Sequence, residues 1–263
     1  MALWLLNHLS TWSLAVLVVG GVSCMAVLGS FLTRRFFPQV TDGEHNEMVG
    51  VVLGMFGAIY GIILAFVVVT LWTQLETTQA VVSAEATDLA VLLRDIRVFP
   101  AEDRARITTA VSGYVHAVVE VQWPLMREGR PSFAATGGDL ERVYAALQRY
   151  VPENAAQQSF YDSAVDRLAD VAAQRRARLA TARQQLPPLL QVLVFGGALV
   201  ILPLTFLYGI RSKKMQVLFV ASVAALIGFS LLLVLVLDRP FAGELSVNPS
   251  AYKDGVLAQL WRT

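Results

Sequence analysis

The sequence predicts an all-α integral membrane protein: four transmembrane helices with a long helical extramembrane insertion between spans 2 and 3. Three observations carry this reading. Of 263 residues, 56% are hydrophobic and 16% charged, with a mean hydropathy of +0.56. An ordinary soluble domain is about 45–50% apolar and about 25% charged. Four stretches are apolar over the roughly 20 helical residues needed to cross about 30 Å of hydrocarbon. Between the second and third of them, the chain changes to an amphipathic pattern with a helical period. The 21 Lys and Arg nearly balance the 20 Asp and Glu, so no net field draws nucleic acid. One cysteine makes no internal disulfide and no zinc site by itself.

The first span runs from Ser13 to Leu32 without a charge. No Lys or Arg precedes it and its apolar run is long for a cleaved leader, so it reads as retained. Its Cys24 reads as a small buried hydrophobe. The second span runs from Val49 to Trp72, the third from Leu189 to Ile210 and the fourth from Met215 to Leu237; none contains a charged residue. Each must be helical, because a lone strand in lipid leaves its backbone polar groups unpaired. Trp12, Trp72 and Tyr208 flank the spans where aromatic rings favour the interface.

In the insertion, apolar residues recur at three- and four-residue steps: Leu89, Leu92, Leu93 and Ile96, then Ile107, Val111, Tyr114, Val115 and Val118, and later Phe160, Val165, Leu168, Val171 and Leu179. Nothing breaks the helix between Trp72 and Pro100, so the second span is expected to continue out of the lipid as one long helix. Pro100 with Glu102 and Asp103 marks a helix start, with acidic residues at the positive end of the dipole. Residues 127–138 read as a loop. Pro152 reads as the beginning of the last long helix, which runs towards Pro187-Pro188. The division expected is a first transmembrane pair over 1–72, an extramembrane bundle over 73–188, a second pair over 189–237 and an interfacial carboxyl tail over 238–263.

Lys and Arg in short loops set orientation. The 1–2 loop carries Arg34 and Arg35, and the 3–4 loop Arg211, Lys213 and Lys214. Both loops are therefore placed on the cytoplasmic side of a cell (inner) membrane. The amino terminus, insertion and tail are then placed on the outer side. Arg175, Arg176, Arg178 and Arg183 near the third span argue the other way, but long domains weigh little in this rule.

Two places hold candidate chemistry. The first is the second span, where Gly50, Gly54 and Ala58 form one small-residue stripe and Gly57, Gly61 and Ala65 another. Such spacing lets helix backbones approach closely in lipid; the stripes either pack against neighbouring spans or line a narrow axial pore made by several subunits. The second is the pair of span ends. Asp42, Glu44, His45, Asn46 and Glu47 precede the second span, either as a titratable pore-mouth cluster or as an acidic helix cap. Asp238, Arg239, Pro240, Phe241 and Gly243 follow the fourth, either as an anion-cradling turn or as an interfacial turn that locks the tail. No metal site is expected, since His45 has no converging partners. The uncharged spans disfavour pumps and carboxylate-gated transport but allow a pore with an apolar gate. No enzyme motif is present, and no cofactor is called for.

His45-Asn46, the run Ile59-Tyr60-Gly61 through Leu64-Ala65-Phe66-Val67, Trp72, and Leu237-Asp238-Arg239-Pro240-Phe241 with Gly243, Val247 and Pro249 together resemble the bacterial bestrophin-like domain family, over nearly the whole chain. That family brings no settled activity. A more distant likeness is to bestrophins, pentameric anion channels whose second helix lines the pore and ends in a Trp-rich segment followed by a Glu. Trp72 and Glu76 are similar to that segment, with Gly61 upstream. The bestrophin neck would fall at Gly54, Ala58 and Ile62, two of them small. Bestrophins keep their termini and extramembrane helices in the cytosol, opposite to the loop count above. The resemblance implies a homo-oligomeric, chloride-conducting channel in the bilayer, pentameric if it follows bestrophins, with small inorganic ions as its partners. The alternative is a non-conducting membrane scaffold or sensor whose insertion binds a partner.

Overall fold

The computed structural model describes residues 2–41, 43 and 45–262. Asp42 and Glu44, read above as part of the span-entry cluster, lie outside the described residues. All regular structure among those residues is helical. In chain order the α-helices are α1 (Ala2–His8), α2 (Thr11–Phe36), α3 (Asn46–Asp95), α4 (Ala101–His116), α5 (Trp123–Arg127), α6 (Ala134–Gln148), α7 (Ala155–Arg183), α8 (Pro188–Phe206) and α9 (Lys213–Leu237). Helices α2, α3, α8 and α9 contain the four stretches long and apolar enough to cross a membrane. As the unbroken sequence after Trp72 requires, α3 runs through 50 residues.

The chain divides into two units. One comprises the residues up to Thr73, Gln185–Arg239 and Gly243–Leu245; the other comprises Gln74–Gln184, Pro240–Ala242 and the residues from Ser246 onward.

In the first unit, α2 and α9 approach most closely. Gly228 makes this possible: a Cβ there would lie 3.0 Å from the Cα of Val19. Ala26, Val220 and Ala224 form the buried seam, flanked by Val22, Leu202 and Phe206. Gly29 accepts the ring of Phe206, which would meet a Cβ at 2.7 Å. The α8 helix ends at Phe206, before the expected Ile210. Pro203 lies inside its last turn, where it removes a backbone donor and crowds the carbonyl four residues back. Cys24 is exposed on α2, not buried, because α2 turns Ala26 and Ser30 inward.

The second unit has a continuous apolar core. Leu89 and Leu92 of α3 and Ile96 just beyond its end meet Ile107, Val111 and Val115 of α4, Val143 and Leu147 of α6, and Leu168, Val171 and Leu179 of α7. The residues from Ser246 onward add Val247, Tyr252, Leu257 and Leu260 to it. Two boundaries differ from expectation. The loop read over 127–138 is shorter, because α6 starts at Ala134 and includes Gly137 and Gly138. Each glycine costs a helix roughly 1 kcal/mol, offset here by burial of Leu140 and by the buried Thr136 hydroxyl, which accepts from Arg175 Nε at 3.0 Å. The last long helix starts at Ala155, past Pro152. Asn154 caps it by accepting from the Gln157 amide at 2.9 Å, while the Gln157 side chain accepts from the Glu153 amide at 2.8 Å, a reciprocal cap. Between α4 and α5, Ala117–Gln122 widens into a π-turn. Pro124 follows it, and a ring without a donor cannot bond the Glu120 carbonyl in an α-register.

Candidate functional site

The membrane half of α3 is held by a single face. Tyr60, Leu64, Val67 and Leu71 are buried and, at about 100° per residue, lie on one side of the helix. Tyr60 supplies the anchor: its hydroxyl donates to the Val194 carbonyl at 2.7 Å, and its ring lies where a Cβ on Gly197 would be. The two small-residue stripes lie beside this face and not within it. Gly54, Gly57 and Gly61 have nothing within 4 Å of an added Cβ, and Gly50 meets only Tyr208. Ala58, Ile62, Ala65 and Phe66 are likewise exposed. Within the single chain, then, the stripes are not covered by neighbouring spans. Gly57, Gly61 and Ala65 form one wall of an open groove of about 410 Å³, opposite Ile201 of α8 and Ile227 and Ser230 of α9.

At the start of α3, Asn46 is committed to structure. Its side-chain amide donates to the Gly209 carbonyl at 2.7 Å and accepts from the Gly209 amide at 2.8 Å, which pins the α8–α9 connection. His45 and Glu47 are exposed beside it, with Glu47 in the first helical turn. Among the described residues no three His, Cys, Asp or Glu side chains gather closely enough for a metal.

The turn after α9 is also held at each residue. Asp238 accepts from the Leu186 amide at 2.5 Å and lies 3.9 Å from the Arg239 guanidinium. Burial raises the Asp238 carboxyl above the usual range, and the Leu186 and Arg239 contacts partly oppose this. In the second unit, Pro240 accepts from the Val247 amide at 2.8 Å, and Phe241 packs edge-on against Trp123. In the first, Gly243 takes a φ of +86°, open to glycine at no cost. Glu244 accepts from both the amide and hydroxyl of Thr11, at 2.9 and 2.8 Å, and those bonds hold its carboxyl below the usual range. Trp72 is exposed in the first unit and Glu76 in the second.

Sequence reasoning did not find the second unit's central polar group. Glu85 and Arg178 are both fully buried and pair at 2.8 Å. The second Glu85 oxygen accepts from Tyr114 at 2.6 Å and from Arg178 at 3.1 Å. Tyr252, fully buried, lies beside the pair without a hydrogen bond of good geometry. The Arg178 guanidinium also lies 6.0 Å from the Trp123 ring. Burial opposes its charge most strongly, but the Glu85 charge and hydrogen bond, with Tyr252 and Tyr114 beside them, together outweigh this and hold the proton more tightly than usual. A signal existed: Glu85 falls on the apolar face between Val82 and Leu89, where a lone carboxylate demands a partner.

Fold and site together define a multi-pass helical membrane protein. Its second membrane helix, α3, carries an uncovered small-residue face through the span and then continues into an extramembrane core. The chain matches the family described as Bestrophin-like domain over residues 20–252 and belongs to that family. Solved structures share the fold. One is a point variant of a membrane protein, with a TM-score of 0.68 at 13% identity over 92% of this chain and 97% of that one. Two more are variants of a bacterial bestrophin homologue from Klebsiella pneumoniae. They give TM-scores of 0.67 and 0.62 at 14% and 15% identity, over 93% and 94% of this chain and 98% and 96% of those. Among curated proteins, none matches.

Proposed function

We infer that the protein is a homo-oligomeric ion channel of the cell membrane, conducting small anions such as chloride, with α3 around its axis. The observation that carries this reading is the bare face of α3. Gly54, Gly57 and Gly61 have open space where a side chain would be, and Ala58, Ile62, Ala65 and Phe66 are exposed in their own chain. Small residues give little apolar surface to lipid tails and suit either close helix contact or a lumen. Copies of α3 arranged about an axis meet both demands, because the two stripes lie seven residues apart on nearly the same side of the helix and turn one continuous small-residue face towards the neighbouring subunits and the lumen. The anchored face beside it, with Tyr60, Leu64, Val67 and Leu71, then holds each helix at a fixed rotation. With no charge in the span, the gate is an apolar constriction that conducts when wetted, for which Ile62 and Phe66 are the bulky candidates. The likeness to bestrophins at Trp72 and Glu76 supports anions as the permeant class and a pentamer as the assembly.

The test is reconstitution of the purified full-length protein into liposomes. A chloride current carried by an oligomer supports the reading. A stable, non-conducting monomer refutes it. A stable protein partner cross-linked to residues 80–185, without conductance, establishes a scaffold or sensor instead.

A further inference from the structure

We propose that the groove between the last turns of α2 and the first turns of α9 binds an anionic phospholipid, its headgroup held by Arg34, Arg35 and Lys213 and an acyl chain lying against Leu28, Phe31 and Val217. The groove encloses about 490 Å³, and those six residues are among its lining. It is amphipathic along its length, apolar towards the middle of the spans and cationic at their ends, as a phospholipid is. Leu28, Phe31 and Val217 are 56%, 61% and 48% exposed, so the apolar wall is open to a chain.

The cationic end is underpartnered in two ways. Arg34 uses one terminal nitrogen on the Ile210 carbonyl at 2.6 Å and on Gln216 Oε1 at 3.0 Å. Its Nε is buried with no hydrogen-bond partner among the described residues, and no described carboxylate lies within 4.0 Å of Arg34, Arg35 or Lys213. The α9 helix also begins with Lys213 at the positive end of its dipole, and Ser212 makes no side-chain cap. Cations there are disfavoured and the first amides lack acceptors. A phosphate group relieves all of these at once. A second copy seated through the same patch would instead set three cations against three cations.

The experiment titrates the full chain in maltoside micelles with phosphatidylglycerol and with phosphatidylcholine of the same acyl chains, counting bound lipid by native mass spectrometry. Phosphatidylglycerol is expected to bind at least about tenfold more tightly, given about five-fold per engaged basic residue. Arg35→Gln and Lys213→Gln, both changes of exposed side chains, should each reduce that preference by about five-fold. Lys214→Gln, outside the groove, should leave it in place. Equal affinity for the two lipids overturns the proposal, as does an equal loss from Lys214→Gln. Displacement by inorganic phosphate at matched concentration assigns the site to a free anion and also overturns it. So does spontaneous cross-linking of Leu28→Cys between copies in the Cys24→Ser background, which would show that another subunit fills the groove.

Discussion

Glu85 and Arg178 show how one residue pair fixes a core. Two opposite charges with no solvent contact are stable only as a pair with their remaining bonds made, and Tyr114, Trp123 and Tyr252 complete the shell. Arg178→Met should destabilise the protein by about 3–5 kcal/mol, because it leaves the Glu85 charge alone in the core. Glu85→Leu in the same chain should restore most of the loss, since an apolar pair of similar volume is tolerated there; thermal unfolding in detergent measures both. The tyrosines add a pH dependence. Burial, with the Glu85 charge, pushes the Tyr114 and Tyr252 hydroxyls well above the ordinary tyrosine range. The folded chain therefore holds these protons more tightly than the unfolded one. The stabilisation is complete below the unfolded value near pH 10 and is lost as pH rises through the folded values. Tyr252→Phe should flatten the alkaline fall in unfolding temperature; an unchanged slope would contradict the placement of that hydroxyl.

At the scale of elements, glycines divide into two kinds that sequence alone does not separate. Gly29, Gly197 and Gly228 seat Phe206, Tyr60 and Val19 within one subunit, whereas Gly54, Gly57 and Gly61 face open space. Gly197→Leu should therefore unfold or destabilise the single chain, since overpacking costs about 1–3 kcal/mol or more. Gly57→Leu should leave the subunit folded and shift the oligomer to smaller species in size-exclusion chromatography. Equal damage from both would contradict the division. The four spans and the length of α3 were legible because each follows from local apolar length and the absence of a breaker. The stripes were legible because they repeat every four residues. Gly197 opposite Tyr60 was not, for that contact joins α3 to α8, as does the Tyr60–Val194 hydrogen bond across 134 positions of sequence, and has no period. The late start of α7 and the early start of α6 depend on the Asn154 cap and on Arg175 reaching Thr136, side-chain bonds that override Pro152 and the two glycines. Of the candidate site residues, Asn46 and Asp238 carried the right polarity, but only the structure reveals that their acceptors and donors are the Gly209 and Leu186 backbones.

On the scale of the whole molecule, the claims are orientation and assembly. From the positive short loops we propose that Arg34, Arg35 and Arg211 face inside and the insertion outside. Single cysteines introduced across residues 80–180, with Cys24 replaced by Ser, should then react with an impermeant maleimide in intact cells; reaction only after lysis would reverse the topology. Cys24 must be replaced first, because it is exposed on α2. Assembly is the deeper claim, since the family and the shared fold leave the permeation path open and only the bare face of α3 points to it. Chloride flux into liposomes should be followed for Ala58→Cys in the Cys24→Ser background, before and after a positively charged thiol reagent is added. Flux that is present and changes on labelling, while the Cys24→Ser parent is unaffected, is the expected result. Flux that ignores a charged group at position 58 would place the pathway elsewhere than along this helix.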